Sequence, residues 1–522
     1  MIMRRLARLL SLLGMILFGL LAVISGIATK RMYTGSESVY WEWDNVLLKV
    51  LYLAGILLIC GLLLRAQNFL TERKVHILAI LVSFLAVIFC VVLINGAGST
   101  PDADQWYVYV AAEGFFQKDY TNLQNYGYYT VYPFLLCLSK LYAMAAQMAG
   151  VMSCEVLQYI QSAFVGLSVY FLFRITRELF HHVAAECLCL LFSLLFVPMF
   201  LYAQFLYGET IGTGMCLICI YFFLLANRSG QQKGLRKVLY WSVAIAAFGM
   251  VYVVRPALLV VYVALAMIQL CLCVKRKTVI PAFGVALMLI AGICGQKLMV
   301  EQIGRDIDIR VDNGMPVVPL LVAMGMQDND PNNTGPGSYN AYNYNLFMET
   351  GQNQEESVRL ALQDIKRSLY RWLHNPRNML EHNFEKVLNQ WTEPGYDAFT
   401  LTCKMEEPDP WVENLYYNRL HDIIYNLLDC FQTLCYAMLT FWFYHLYRAE
   451  RRGMERTNPE EYLIGLILIG EFFFSILWEA KSRYVFPYMV LAIPCVAGTV
   501  VLCYKRFRTK WVQIRKKGQV AT

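Results

Sequence analysis

Charged residues are scarce in this chain. Only 16% of its 522 residues are Asp, Glu, Lys or Arg, whereas 58% are hydrophobic and 14% aromatic. Soluble domains carry about 25% charged residues, and no soluble core needs this much apolar surface. The composition excludes an ordinary soluble protein and predicts an integral membrane protein.

Several chemical motifs are missing as well. The sequence has no phosphate-binding P-loop, no zinc-ligand spacing, no nucleophile elbow and no internal repeat. The missing nucleotide-triphosphate motif argues against an ATP-driven pump. Two aspartates two residues apart, Asp102 and Asp104, are weak evidence for a divalent cation, so we predict neither a metal nor another cofactor.

What the chain does have is a series of apolar stretches. Each is roughly 20 residues long, which lets a helix cross a ~30 Å hydrocarbon layer. Because backbone in lipid must satisfy its own hydrogen bonds, they predict an all-α polytopic membrane protein. We place about twelve transmembrane helices, at Leu9 to Ala28, Val46 to Leu64, Val75 to Asn95, Val156 to Phe173, Val183 to Phe205, Gly208 to Ala226, Val238 to Val254, Pro256 to Val274, Val279 to Leu298, Ile423 to Tyr447, Tyr462 to Trp478 and Val485 to Tyr504.

Lys and Arg collect in short stretches between these spans, and such stretches stay in the cytoplasm. With this set of spans every basic cluster falls on one side, so both termini are predicted to be cytoplasmic, with the first span an uncleaved anchor. The net charge of +7 then reflects this bias and not nucleic-acid binding. The clusters are Arg4/Arg5/Arg8, Arg65/Arg73/Lys74, Arg174/Arg177, Arg228/Lys233/Arg236/Lys237, Lys275/Arg276/Lys277, Arg448/Arg451/Arg452/Arg456 and the tail from Lys505 to Lys517.

Two long segments are left on the outer side. The first, residues 96–155, belongs to an N-terminal transmembrane region, residues 1–298, and contains the apolar stretch Phe134 to Met148. Since a thirteenth span there would invert all later loops, we expect that stretch to be a helix at the membrane surface. The second, residues 299–422, is predicted to be a small extracytoplasmic cap, followed by a C-terminal transmembrane region and basic tail, residues 423–522.

The predicted cap has a recognisable helical part. Turn-forming residues fill the stretch Gly325 to Gly337 and predict a loop. Apolar residues then recur at helical spacing from Val358 to Trp372, and Asn375-Pro376 ends the pattern. A second helix is expected from Met379 to Trp391.

Four features together resemble a known family. They are an acidic loop after an early span, an aromatic segment Tyr126-Gly-Tyr-Tyr-Thr-Val-Tyr-Pro133, a late extracytoplasmic segment, and the closing Trp478-Glu-Ala-Lys-Ser-Arg-Tyr-Val-Phe-Pro487. From about residue 94 onwards the chain resembles the GT-C membrane glycosyltransferases, in particular the bacterial branch related to protein O-mannosyltransferases and the aminoarabinose transferase. Two spans precede the one leading into the acidic loop, which departs from the simplest plan of that family.

The resemblance implies an inverting glycosyltransferase at the outer face of the cytoplasmic membrane. Its donor would be a polyprenyl-phosphate-linked sugar, and its acceptor an extracytoplasmic glycan, lipid or protein. Such a reaction needs a carboxylate to deprotonate the acceptor hydroxyl. It also needs cations beside the phosphate, where negative charge grows in the transition state.

Asp104 is the predicted general base. It stands in an Asp-Gln-x-Tyr context that resembles the family's first-loop motif, and Asp102 is the second choice. The alternative is that both aspartates only cap the helix that follows, from Gln105 to Phe116, since Asp is a favoured capping residue.

Lys481 and Arg483 are the leading phosphate ligands, at the outer mouth of the last two spans. Interface anchors that snorkel would look similar. Glu479 is expected to pair with one of these cations or to meet the acceptor. Arg255 is a further phosphate ligand or a residue placed only by the helix start at Pro256, and Glu209, within Tyr207-Gly-Glu, pairs with a cation or binds substrate.

Aromatic residues offer sugar-stacking surfaces. Trp391, in Asn389-Gln-Trp-Thr-Glu-Pro-Gly-Tyr396, and Tyr132, in the cluster of Tyr126, Tyr128, Tyr129 and Tyr132, are the candidates for substrate binding. The alternative for both is an aromatic packed at the membrane interface.

Two rival functions fit the same composition. A transporter or flippase for lipid-linked sugars shares the polytopic bundle, but would carry ionisable residues near mid-span and paired broken helices. An oligosaccharide ligase or polymerase shares the membrane, the donor and the face, and differs in the size of the glycan moved.

Overall fold

The computed structural model describes residues 2–125, 127–228, 234–309, 311, 314–328, 334–451 and 458–520. Within these ranges the chain forms 23 α-helices and a single two-stranded sheet. The protein is therefore an all-α polytopic membrane protein, as its composition predicted.

Nine of the described helices are long and apolar enough to cross a membrane. Each coincides with a predicted span. They are α1 (Ile2–Ile24), α2 (Val46–Ala66), α3 (Glu72–Ala97), α8 (Cys154–Phe180), α11 (Glu209–Asn227), α12 (Leu235–Val254), α13 (Leu259–Arg276), α14 (Ile280–Ile307) and α23 (Phe486–Val520).

One further predicted span, Val183 to Phe205, is interrupted by a bend. Helix α9 (Val183–Leu195) bends by 61° into α10 (Pro198–Leu201) and a 3-10 turn at Tyr202–Gln204. Proline has no N–H to continue a helix, and Pro198 begins the second piece. The carbonyls freed beyond the break, at 203–205, accept hydrogen bonds from the side-chain amides of Gln158 and Gln161 on α8.

The two remaining predicted spans, Ile423 to Tyr447 and Tyr462 to Trp478, form helices that are shorter or more polar than the nine. Helix α22 (Leu463–Leu477) has 15 residues, and α21 (Arg419–Arg451) carries polar side chains such as Asp429 and Gln432 in its middle. Neither is among the nine helices that are both long and apolar enough to cross a membrane. The count of twelve therefore stays a prediction.

Arginines from four of the predicted basic clusters meet their partners at one end of the helix bundle. Arg8 donates to the carbonyl of Glu450, whose carboxylate accepts from Tyr462. Across the bundle, Arg276 contacts Glu460 and the side chain of Asn227. Two more ion pairs join Arg228 to Glu178 and Arg177 to Glu72. These contacts link the ends of seven helices, α1, α3, α8, α11, α13, α21 and α22.

The amino-terminal helices carry a hairpin that the sequence did not predict. Helix α1 ends at Ile24 instead of Ala28, because residues 28–32 form β1 (Ala28–Met32), which pairs antiparallel with β2 (Val39–Trp43). Below the hairpin, the ammonium of Lys49 lies 2.6 Å from Asp44 and 2.7 Å from Asp429 of α21. This buried cluster joins the first two helices to the rest of the bundle.

Residues 299–422 pack against the bundle and contribute to its main core. The two predicted helices are present as α17 (Gln354–His374) and α18 (Pro376–Trp391). The remaining helices of this segment are α15 (Val317–Gly325), α16 (Tyr342–Glu349), α19 (Ala398–Leu401) and α20 (Pro410–Tyr417). The earlier loop holds α4 (Ala103–Gln117), α5 (Thr121–Asn125), α6 (Tyr128–Val131) and α7 (Leu135–Ala149), the last being the short apolar helix expected there.

Candidate functional site

The acidic loop begins where α3 ends. Gly98 takes a left-handed conformation (φ 53°), and a Cβ there would lie 2.5 Å from the carbonyl oxygen of Glu406, so glycine fits where other residues do not. Asp102 follows, accepts from the backbone N–H of Ala103 and lies 3.4 Å from Lys404. The capping interpretation therefore holds for Asp102, whose side chain is mostly exposed.

Asp104 has a different environment. It lies in the first turn of α4, where one carboxylate oxygen accepts from the Tyr128 hydroxyl at 2.9 Å and the other lies 3.9 Å from the Arg483 guanidinium. The neighbouring Gln105 fixes this turn, because its side-chain oxygen accepts from the backbone N–H of Leu206 at 3.1 Å. That bond brings the acidic loop to the chain that carries Tyr207.

Tyr128 is held rigidly beside Asp104. Its ring stacks on Tyr107 with centroids 3.8 Å apart and planes 7° from parallel. Burial raises the pKa of the Tyr128 hydroxyl well above its ordinary value, which keeps the proton that it donates to Asp104. Tyr132 packs against Tyr128 and accepts a hydrogen bond from Asn343, whereas Tyr126 lies outside the described residues.

Arg255 and Arg483 converge on the same two tyrosines. The Arg255 guanidinium lies 5.2 Å from the ring of Tyr207 and 5.7 Å from that of Tyr484. The corresponding distances for Arg483 are 5.4 and 5.2 Å. Two cations that share two aromatic faces make a compact positive site, of the kind that binds phosphate.

The two arginines of this site differ in how closely they are paired with carboxylates. Glu209, almost fully buried, forms an ion pair with Arg255 at 2.7 Å, as its predicted structural role requires. The Arg483 guanidinium donates to the Tyr484 hydroxyl at 3.4 Å and lies 3.9 Å from the half-exposed Asp104, but its buried Nε donates to no acceptor among the described residues. Arg483 therefore retains hydrogen-bonding capacity for an anion.

A partly open cavity of about 300 Å³, counting the space open to the outside, adjoins the two arginines. It is lined by Glu209, Arg255, Ala257, Leu258, Glu471, Phe474, Trp478, Arg483, Tyr484, Pro487 and Tyr488. Sequence analysis missed Glu471, a buried carboxylate in the middle of α22 that lies beside the Tyr488 hydroxyl and has no ion-pair partner among the described residues. A lone carboxylate in an apolar helix is itself an indication of function, and it was overlooked.

Two predicted residues beside Arg483 have other partners. Lys481 forms an ion pair with Glu37 of the hairpin at 3.1 Å and lines a second cavity. Glu479, largely buried, accepts from the Tyr484 hydroxyl at 2.8 Å. The structure thus brings Arg483 together with Arg255, Glu209 and Asp104, but not with Lys481.

Trp391 does not offer a sugar-binding surface. Its side chain is 0% exposed and packs between Phe18 and Phe472, while the indole N–H donates to Ser475. A ligand cannot reach it, which corrects the substrate-binding prediction and agrees with the alternative of a packing aromatic. Glu393, close in sequence, is also buried and accepts hydrogen bonds from two backbone N–H groups and two hydroxyls.

In the described ranges no group of three or more His, Cys, Asp or Glu side chains is placed to hold a metal ion. No protein-family model matches the chain, and a search of curated proteins finds no match either. What the site does must therefore be argued from its own geometry.

Proposed function

We propose that the protein is an inverting glycosyltransferase that moves a sugar from a polyprenyl-phosphate donor to an acceptor hydroxyl at the outer face of the cytoplasmic membrane. The acceptor belongs to an extracytoplasmic glycan, lipid or protein. The proposal extends the resemblance to GT-C enzymes. One observation carries it: two arginines, one just after α12 and one in the turn between α22 and α23, converge on one aromatic pair, and a carboxylate lies 3.9 Å from the second.

The proposed mechanism gives each group one task. Asp104 takes the proton of the acceptor hydroxyl, whose oxygen attacks the anomeric carbon as the bond from that carbon to the phosphate oxygen breaks. Attack opposite the leaving group inverts the anomeric centre. Arg483, with Arg255, stabilises the charge that grows on the departing polyprenyl phosphate.

Tyr128 and Glu209 support these groups without touching the reacting atoms. The hydroxyl of Tyr128 fixes the orientation of the Asp104 carboxylate. Glu209 holds the guanidinium of Arg255. Lys481 has no part in phosphate binding in this proposal, because it lines a different cavity.

The proposed membrane arrangement keeps twelve spans, with both termini in the cytoplasm and residues 299–422 as an outer cap. Its support is the continuous set of contacts among basic and acidic residues at one end of the bundle. Short basic segments remain cytoplasmic. The candidate site involves residues at the opposite ends of α3, α12 and α22, and in this proposed arrangement those ends face outwards.

The decisive experiment measures release of polyprenyl phosphate from a panel of polyprenyl-phosphate sugars by the purified protein in lipid. We expect Asp104→Asn to lower the rate about 10²–10⁴-fold, the usual contribution of a general base. Asp102→Asn is the matched control and should retain most of the activity. Equal loss in both variants, or activity unchanged in Asp104→Asn, would refute Asp104 as the base.

A second function, transport of a lipid-linked sugar across the membrane, is favoured by Glu471. A buried carboxylate in the middle of an apolar helix, with no cationic partner among the described residues, is typical of transport pathways. This function predicts transbilayer movement of the lipid without release of polyprenyl phosphate. We place it second because transport does not explain why Asp104 lies beside Arg483.

A further inference from the structure

A second cavity borders the arginine cavity without sharing a lining residue with it. Four segments wall it: the hairpin, residues 334–339, the end of α18 with residue 397, and residues 480–482. Its volume is about 370 Å³, which includes the part that is open to the outside. Ser482 lines this cavity and Arg483 lines the other, so the two cavities are neighbours.

Two side-chain amides of the lining have oxygen atoms that accept no hydrogen bond from a described residue. Asn389 and Gln390 lie side by side at the end of α18, and both are more than nine-tenths buried. The amide nitrogen of each donates to backbone carbonyls, but neither side-chain oxygen accepts a bond from any described residue. Buried acceptors without a donor are unfavourable, and a ligand that supplies donors relieves this.

The charge of the lining disfavours an anionic ligand. Lys481 is the one cation among the lining residues, and it is already paired with Glu37. The buried carboxyl group of Asp397 is a second acidic group in the lining, and burial raises its pKa. With two acidic groups for one cation, the cavity suits hydroxyl donors better than phosphate.

The hairpin wall is firmly fixed. Lys30 pairs with Glu385 at 2.7 Å, Arg31 pairs with Asp422 at 2.7 Å, and the Thr34 hydroxyl donates to the backbone of Tyr416. These contacts join β1 and the turn to residues far along the chain, and β2 is held by its pairing with β1. The wall therefore holds Glu37 and Val39 in place at the cavity.

We propose that this cavity binds a neutral, hydroxyl-rich ligand, namely one sugar unit of a glycan, and that the two amino-terminal helices serve to hold the hairpin that forms its wall. The site stands on its own geometry and does not require the transferase. If the transferase proposal also holds, the neighbouring cavity places this sugar on the acceptor side.

The test is saturation-transfer NMR on the full chain in nanodiscs, without any donor lipid. The probes are methyl glycosides of neutral hexoses, with glucose 1-phosphate as the anionic comparison. Val39→Trp fills the cavity from the partly exposed hairpin, and Gln390→Leu removes an unpaired acceptor. Gln147→Leu, the same change at an exposed position, is the matched control.

We expect at least one neutral glycoside to bind, and glucose 1-phosphate to bind no better. Loss of one hydrogen bond in Gln390→Leu should weaken binding about five-fold, and Val39→Trp should abolish it, with Gln147→Leu unchanged. No binding by the wild type, preference for the phosphate, or full binding by Val39→Trp would each overturn the proposal. If Gln390→Leu does not fold, Val39→Trp decides.

Failure of the transferase proposal would look different. Polyprenyl phosphate would then not be released, while glycoside binding in the absence of donor would persist. Asp104→Asn should likewise leave glycoside binding unchanged, because Asp104 does not line this cavity.

Discussion

Replacement of Lys49 by methionine should strongly destabilise the protein. The Lys49 side chain is 4% exposed, and its two carboxylate partners, Asp44 and Asp429, are 10% and 8% exposed. Without the ammonium, the two buried carboxylates lie close together, and the Thr29 hydroxyl is the one hydrogen-bond donor in the described part of the chain that contacts both of them. Breaking a buried ion pair costs about 3–5 kcal/mol, and we expect a loss of unfolding free energy in that range.

The assay is unfolding of the protein in mixed micelles by a denaturing detergent, followed by circular dichroism. Lys297→Met, at a lysine that is 74% exposed, is the control and should change the unfolding free energy by less than about 0.5 kcal/mol. The double variant Lys49→Met/Asp429→Asn should recover part of the loss, because it removes one of the unpaired charges. A loss below about 1 kcal/mol in Lys49→Met would show that this cluster does not hold the amino-terminal helices.

Two further predictions concern the segment that supports the site. Burial lowers the pKa of Lys386 from 10.5 to about 7. The folded protein is therefore most stable above pH 10.5, where Lys386 is neutral in both states, and it loses this stability as the pH falls from 10.5 through 7. Lys386→Met should therefore abolish the rise in thermal stability between pH 7 and 10.5 that the wild type shows, whereas Lys366→Met, at an exposed position, should keep it. Gly98→Ala should lower the free energy of unfolding by at least about 1 kcal/mol. The loss should clearly exceed that of the control Gly35→Ala, since Gly35 has the same left-handed backbone but open space around it. Equal losses in the two variants would contradict the close approach of Gly98 to Glu406.

Much of the fold was predictable because transmembrane helices are encoded locally. Ten of the predicted spans coincide with the nine long apolar helices and the bent pair. The bend itself was not predicted, since the hydropathy from Val183 to Phe205 is continuous and only Pro198 marks the break. The hairpin was also missed, because its strands were assigned in part to the first span and in part to a short loop.

The candidate site was predictable only in part. Charges at the ends of spans identified Arg255, Arg483 and Asp104, but their meeting depends on contacts between residues hundreds of positions apart. Lys481 and Arg483 are near neighbours in sequence, yet they line different cavities. Trp391 resembled a surface aromatic because the sequence does not show that Phe18, from the first helix, packs against it.

The break between α9 and α10 has a consequence for how a ligand enters. Irregular chain is often equated with mobility, but here Gln161 ties the carbonyls of Ala203 and Phe205 to α8, and Gln158 ties Gln204 to the same helix and to Ser99 of the acidic loop. The backbone that leads to Tyr207 is therefore anchored on both sides. Tyr207 is thus a rigid part of the candidate site, so its ring holds its position when a ligand binds beside the two arginines.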